Sequence, residues 1–173
     1  QLSTVFVFLV IINAINFIDG IDGLAISEVI KTILLIEFFS ASKTALTPLA
    51  LLLIISLLPL YYFNFKKKGK VFLGDGGSLL LGTILSIYIF YVLEHQYVIK
   101  NNIQINKVLF AILIVFYPLL DLLRVFIIRI KNGRSPFLAD QSHLHHYIVK
   151  KTDSVIITIL LIEFVSVGLC FFI

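Results

Sequence analysis

Two short acidic loops and one histidine-rich loop hold the side chains best suited to chemistry. The first loop reads NFIDGIDG over residues 16–23, where Asp19 and Asp22 are three residues apart and each precedes a glycine. Glycine allows close approach of the backbone to a ligand, so such a loop can fold tightly around one. An ordinary helix end followed by a turn is the alternative, because Asp and Gly favour those positions too. Both interpretations fit the local sequence.

The second loop reads KKKGKVFLGDGGS over residues 66–78 and places Asp75 among three glycines. A carboxylate on a glycine-rich turn suits Mg²⁺, a hard ion that takes oxygen ligands and shares them with phosphate. Ser78 is expected to cap the helix that follows. The lysines suit either phosphate or a membrane anchor beside anionic lipid. The string lacks the Gly-Lys-Ser/Thr ending of a Walker A loop.

The third loop reads NGRSPFLADQSHLHH over residues 132–146 and contains His143, His145 and His146. If this segment is helical, His143 and His146 share one face and His145 points elsewhere. A zinc site needs further ligands, and the chain has no second His/Cys cluster to supply them. Binding of phosphate by the imidazoles together with Arg134 fits better. From the bare cluster, metal binding, phosphate binding and a simple interface stay open.

The elements that must position these loops are strongly apolar. Of the 173 residues 60% are hydrophobic and 14% are charged, with a mean hydropathy of +1.06 and one cysteine, Cys170. A soluble domain of this size cannot bury so much apolar surface, which excludes a soluble enzyme, a disordered tail and a secreted disulfide scaffold. We predict an all-α, polytopic transmembrane helix bundle that forms a single domain over residues 1–173, with about six spans. The predicted spans cover residues 2–17, 24–39, 46–65, 79–93, 107–130 and 154–173.

The distribution of lysine and arginine predicts the orientation of this bundle. With six alternating spans, the three motif-bearing loops share one side, which holds nine of these cations against three on the other. The side richer in Lys and Arg is normally cytoplasmic. The three loops are therefore expected to face the cytoplasm.

Charged residues also occur inside the predicted spans, where an ionisable group is a functional candidate by default. Asp121 and Arg124 are three residues apart and are expected to pair with one another, with support of the active site as the alternative. Glu28 and Lys31 repeat this spacing, and Glu163 has no evident partner.

Three strings resemble the signature loops of the polyprenyl-phosphate N-acetylhexosamine-1-phosphate transferases, the MraY/WecA/TagO superfamily of glycosyltransferase family 4. They are NAINFIDGIDGLA, VFLGDGGSLLLG and RSPFLADQSHLHH, in the family's order. The HLHH form is similar to the WecA/TagO branch. The resemblance implies an enzyme that transfers N-acetylhexosamine-1-phosphate from a UDP-sugar, with UDP-GlcNAc as the expected donor, to undecaprenyl phosphate and releases UMP. It also implies a multi-pass protein of the bacterial plasma membrane that initiates cell-wall or surface-glycan synthesis.

The same resemblance implies roles for individual residues and ligands. Asp75 matches the aspartate that binds Mg²⁺, for which Mn²⁺ is a potential substitute. The catalytic set is expected to be Asp19, Asp22, His145 and His146, and the substrate-binding set Asn16, Phe72, Arg134 and His143, with Phe72 at the uracil ring. The expected partners are the UDP-sugar, polyprenyl phosphate and membrane lipid, with no nucleic acid, and a homodimer is left open.

One departure from the family concerns an aspartate pair. The family carries adjacent aspartates on an upstream loop and has about ten spans, whereas this chain has no Asp-Asp. We therefore expect the C-terminal portion of a longer transferase. Two alternatives are a transporter or metal carrier that uses the HLHH loop, and a non-catalytic fragment.

Overall fold

The computed structural model describes residues 2–100, 106–136 and 142–171, and every regular element within these ranges is a helix. The apolar composition explains this, since a backbone in hydrocarbon must satisfy its own polar groups. The helices are α1 (Leu2–Ile18), α2 (Leu24–Phe39), α3 (Thr47–Asn64), α4 (Gly74–Leu93), α5 (Lys107–Ile114), α6 (Phe116–Lys131), α7 (Leu144–Thr152) and α8 (Val155–Phe171).

Each predicted apolar segment forms helix, but the fifth one, predicted over residues 107–130, is not a single helix. That segment breaks at Val115 into α5 and α6, whose axes differ in direction by 72°. Pro118 lies in the first turn of α6, where its missing N–H and its ring prevent a helix from continuing through the preceding turn. The short helix α7 begins directly after His143 and was not predicted as a separate element.

Two helices, α3 and α4, are long and apolar enough to cross a membrane by themselves, and the bent pair α5–α6 counts as a third if it forms one span. The helices α1 and α8 are apolar but have 17 residues each, and α2 has 16. The described part of the chain is thus a helical membrane protein. Its count of full-length spans is lower than the six predicted.

The helices α1 and α4 pack closely at Gly82. A Cβ atom added to this glycine would lie 2.8 Å from the Cα and 3.0 Å from the carbonyl oxygen of Ile12. Ser86, one turn later, donates to the carbonyl of Gly82 within α4. Small residues allow such close backbone contact between membrane helices. This contact joins α1, which ends at the first loop, to α4, which begins in the second loop.

We expect Gly82→Ala to destabilise the bundle by about 1–3 kcal/mol, because α1 and α4 must separate to admit the methyl group. The measurement is thermal unfolding of the detergent-solubilised protein. Gly168→Ala in α8 is the matched control, since a Cβ there meets no atom within 4 Å. Equal melting temperatures for the two variants would contradict the close packing.

The helix α2 occupies the centre of the bundle and carries a buried charge cluster. Lys31 pairs with Glu28 one turn earlier and lies 3.5 Å from a carboxylate oxygen of Glu163 in α8. Glu28 is fully buried and Lys31 nearly so. The spacing of Glu28 and Lys31 thus does bring the two together, and Glu163 does have a partner.

Candidate active site

The first two loops together form an acidic pocket. Asp19, Asp22 and Asp75 line a cavity of about 230 Å³, and the ring of Phe72 forms part of its wall. Asp19 and Asp22 lie between α1 and α2, whereas Asp75 lies in the first turn of α4. Residues that are more than 50 positions apart in sequence are therefore brought to one site, as the predicted grouping requires.

Asn16 joins α1 to the start of α4. Its side-chain amide donates to Ser78 Oγ at 2.8 Å, and its Nδ2 lies 3.5 Å from Asp75 Oδ1. The prediction that Ser78 caps α4 is wrong, because the helix begins earlier, at Gly74, with no side-chain cap. Ser78 Oγ instead donates to the carbonyl of Asp75 at 3.2 Å. Asn16 thus lies beside the Asp75 carboxylate, as expected for a site residue.

Asn64 lines the acidic pocket and was not predicted as a site residue. Its Oδ1 accepts from the N–H of Gly23 at 2.6 Å, and its Nδ2 donates to the carbonyl of Val71 at 2.7 Å. It is buried at the end of α3 and lines the acidic pocket. Because the residue is a buried polar group with both ends bonded, it fixes the first loop against the second. The sequence feature that could have indicated it is a single asparagine at the end of an apolar run.

The environment of the pocket raises the pKa of Asp19 to about 7. Burial is the largest cause, and the charges of Asp75 and then Asp22 add to it. Asp22 is partly neutralised by Lys70, whose Nζ lies 2.6 Å from its carboxylate. The same ammonium lies 4.8 Å from the ring centre of Phe72. Because the carboxylates of this pocket repel one another, a cation bound among them would stabilise their ionised forms.

The histidines form a second cluster. The ring centres of His143 and His145 are 5.4 Å apart, and those of His145 and His146 are 4.4 Å apart. The predicted arrangement, with His145 pointing away from the other two, is wrong because His143 precedes α7 as its N-cap residue. Its extended backbone turns the ring back onto His145. All three imidazoles therefore meet.

The buried end of this cluster is held by α6. Asp121 accepts from His143 Nδ1 at 2.8 Å and from the N–H of Leu144 at 2.7 Å. The predicted pairing of Asp121 with Arg124 is wrong, because Arg124 donates to the carbonyl of Ser142 at 2.6 Å. Asp121 and Arg124 thus each bond to the third loop instead of to one another.

His145 and His146 are held in the neutral form. Burial is the largest cause that lowers the pKa of His145 to about 3, and the neighbouring His146 adds to it. Burial also lowers the pKa of His146, with smaller effects from His143 and Lys150. A neutral imidazole offers one N–H donor and one acceptor. These rings can therefore bond to a phosphate without adding charge to it.

The acidic pocket and the histidine cluster meet at Gly20. A Cβ added to this glycine would lie 2.5 Å from Nε2 of His145 and 3.1 Å from Nε2 of His146. Gly20 follows Asp19 directly and lines the acidic pocket. The absence of a side chain at this position lets the imidazoles of His145 and His146 pack directly against the first loop, beside the acidic pocket.

Arg134 is the one predicted site residue that lies apart from the others. It is exposed after α6, and its backbone N–H donates to the carbonyl of Arg129 at 2.9 Å. Within the described ranges, no hydrogen bond or ion pair joins its guanidinium to the carboxylates or to the histidines. Its contact with phosphate stays a prediction.

A family model agrees with the residues of the acidic pocket. The model described as "Glycosyl transferase family 4" matches residues 1–93, which include Asn16, Asp19, Asp22, Phe72 and Asp75. The chain belongs to glycosyl transferase family 4. No solved structure matches this family 4 chain.

Curated relatives extend the similarity beyond the acidic pocket. The undecaprenyl-phosphate alpha-N-acetylglucosaminyl 1-phosphate transferase of Haemophilus influenzae is 38% identical over 66% of this chain and 32% of its own length. The decaprenyl-phosphate N-acetylglucosaminephosphotransferase of Mycobacterium leprae is 32% identical over 81% of this chain and 39% of its own length. A Bacillus subtilis protein, a probable undecaprenyl-phosphate N-acetylglucosaminyl 1-phosphate transferase, is 32% identical over 79% and 37%. The family 4 chain thus spans between about a third and two fifths of these relatives.

Proposed function

We propose that this chain forms part of an enzyme that transfers N-acetylglucosamine-1-phosphate from UDP-GlcNAc to a polyprenyl phosphate, with undecaprenyl phosphate as the expected acceptor. The observation that carries the proposal is the meeting of the acidic pocket and the histidine cluster at Gly20. The names of the relatives support the lipid phosphate and the sugar. The proposal adds two features that these names do not contain, namely UDP as the group that carries the sugar phosphate and UMP as the released product.

The pocket fits a divalent cation such as Mg²⁺. It combines three carboxylates on glycine-containing segments, and burial, together with the repulsion of Asp75 and Asp22, raises the pKa of Asp19. Oxygen donors of this kind are the ligands that Mg²⁺ prefers. Asp75 is the principal expected ligand, with Asp19 and Asp22 beside it. When bound, the ion would neutralise the charge of the nucleotide diphosphate.

The residues of this chain position the substrates for one displacement. An oxygen of the polyprenyl phosphate attacks the sugar-bearing phosphorus, the bond from that phosphorus to the bridging oxygen breaks, and UMP leaves with the bonding electrons. A carboxyl group with a pKa near 7, such as that of Asp19, can exchange a proton with a lipid phosphate whose second pKa is about 6. His145 and His146 hold phosphate oxygens, and the exposed ring of Phe72 is available for stacking against uracil.

The proposed orientation places this site at the cytoplasmic face of the bacterial plasma membrane. In the six-span topology predicted from the sequence, nine Lys and Arg residues share the side of the three loops, against three on the other, and this asymmetry is typical of the cytoplasmic side. A water-soluble nucleotide sugar and a membrane-bound lipid phosphate can meet at this boundary.

The direct test is release of UMP by the purified protein expressed from its complete coding sequence. The mixture contains UDP-GlcNAc, undecaprenyl phosphate and Mg²⁺. We expect UMP to form only when all three are present, and chelation of the metal should abolish it. If no UDP-N-acetylhexosamine gives UMP, the proposed reaction is wrong.

The pKa of Asp19 predicts the pH dependence of cation binding. Because its proton competes with the cation, affinity for Mn²⁺ should rise about tenfold between pH 6 and pH 8 for a carboxyl group of pKa near 7. Free Mn²⁺ can be measured by electron paramagnetic resonance. Asp22→Asn removes a neighbouring negative charge and should move this rise to lower pH, whereas Asp153→Asn, on the surface after α7, should not. Affinity that is constant over this range would contradict the shared acidic site.

A further inference from the structure

Two residues of α6 hold the histidine cluster from its buried side. Tyr117 and Asp121 are four residues apart, so their side chains lie on one face of the helix. Asp121 is fully buried and Tyr117 nearly so. Neither was predicted to touch the histidines. Their face of α6 is directed at the loop and helix that carry the HLHH string.

Asp121 bonds to two groups of the third loop with its two oxygens. Oδ2 accepts from Nδ1 of His143 at 2.8 Å, and Oδ1 accepts from the N–H of Leu144 at 2.7 Å. The N-terminus of α7 has no cap from its own N-cap side chain, so Asp121 supplies that function from a different helix. A single carboxylate thus fixes both the His143 ring and the start of the helix that carries His145 and His146.

Tyr117 fixes the next ring. Its hydroxyl lies 3.2 Å from Nδ1 of His145, whereas Asp121 Oδ2 is 3.8 Å from the same nitrogen and too distant for a hydrogen bond. The other nitrogen, Nε2, is buried and has no hydrogen-bond partner among the described residues. It is the atom closest to the position where a Cβ of Gly20 would lie. One nitrogen is therefore anchored in α6 and the other faces the first loop.

We propose that Tyr117 and Asp121 are positioning residues for the transfer reaction. Tyr117 donates its hydroxyl proton to Nδ1 of His145, which leaves the proton of the neutral ring on Nε2. Asp121 fixes the adjacent His143 ring, which stacks against His145. The Nε2–H of His145 is thereby aimed at Gly20 and has no acceptor there among the described residues, so its acceptor is a phosphate oxygen of a substrate that enters between the ring and the first loop.

This inference rests on the proposed function for the identity of the ligand, but the state of the ring is a property of the protein alone. Removing the partner of one imidazole nitrogen while leaving the fold intact changes which tautomer is present, and outer partners of this kind typically contribute tenfold to 100-fold. Nitrogen chemical shifts of the imidazole distinguish the two tautomers. Turnover and tautomer can therefore be measured separately.

The experiment compares Tyr117→Phe with Tyr88→Phe in the complete protein with ¹⁵N-labelled histidine. Tyr88 is a matched control, since it is also buried and its hydroxyl bonds to the carbonyl of Leu46, outside the site. The parent protein should show His145 with its proton on Nε2, and Tyr117→Phe should mix the two tautomers and lower kcat about tenfold. Tyr88→Phe should change neither. The His145 signal is assigned by its loss in His145→Ala.

Asp121→Asn gives an independent test. His143 and Leu144 use different oxygens of Asp121, and the amide replaces one of these oxygens by an NH₂ donor, so one bond is lost and kcat should fall about 10- to 100-fold. If this variant does not fold, Tyr117→Phe still decides. An Nδ1–H tautomer in the parent, or an unchanged tautomer in Tyr117→Phe, would overturn the assignment. Zinc that copurifies in equal amount and is lost in His143→Ala would also overturn it, because the cluster would then be a metal site. Absence of UMP release with intact tautomer effects would instead reject the proposed reaction.

Discussion

Asp75→Asn is expected to reduce UMP release by at least about 100-fold at every Mg²⁺ or Mn²⁺ concentration, since a lost metal ligand removes several kcal/mol of charge stabilisation. The substitution preserves the size of the side chain and one acceptor oxygen but removes the negative charge. Asp75 is exposed in the first turn of α4 and has no capping bond to this helix terminus. Folding should therefore be retained. The measurement is the initial rate of UMP formation with the metal concentration varied.

Asp153→Asn provides the control for a lost surface carboxylate. Asp153 ends α7 in the left-handed conformation, with φ of 52°, and asparagine adopts this conformation as readily as aspartate. Its rate should equal that of the parent protein. If Asp75→Asn were fully active at ordinary Mg²⁺, the carboxylate would serve the helix N-terminus and not a metal.

Gly20→Ala should cost turnover on a similar scale, about 100-fold, because a displacement of about 1 Å from the productive geometry can have an effect of this size. The added methyl group would lie 2.5 Å from His145 Nε2, so the histidine cluster must move away from the acidic pocket. The backbone itself tolerates alanine, since Gly20 is not among the residues with positive φ. Steady-state kinetics of UMP release measure the effect.

Two comparisons separate this clash from a loss of stability. Gly168→Ala, where the methyl group meets nothing, should have the parent rate. Because the His145 ring is fully buried, thermal unfolding of Gly20→Ala is measured as well, and turnover is compared well below its melting temperature. Parent-like turnover in Gly20→Ala would show that the two clusters act without contact.

The helices were largely predictable from the sequence, and the exception has a clear physical cause. Continuous apolar runs predicted α1 to α4 and α8 to within a few residues, apart from the five-residue earlier start of α4 at Gly74. Hydropathy averages over a window and does not register a bend between two equally apolar segments. Hydropathy therefore does not predict the break at Val115, although the nearby Pro118 is a residue that commonly interrupts a helix.

The residues of the site were predictable from their motifs, but the hydrogen bonds that hold them in place were not. Local strings identified Asp19, Asp22, Asp75 and the histidines, because their residue types and spacing are unusual in an apolar chain. The partners of Asp121 were not predictable, since i, i+3 spacing favours Arg124 and the actual bond joins residues 22 apart. Asn64 was missed for the same reason, since its two hydrogen bonds reach residues 41 and seven positions away in the sequence.

The ion cluster of α2 and α8 has a consequence for the order in which the membrane protein assembles. Lys31 and Glu28 enter the bilayer together on one helix, whereas Glu163 arrives alone, about 130 residues later in synthesis. At roughly 5–20 residues per second, the ribosome needs on the order of ten seconds to cover that distance. An unpaired carboxylate within hydrocarbon is costly, so α8 inserts favourably only where α2 already stands. The second helix thereby serves as the template for insertion of the eighth.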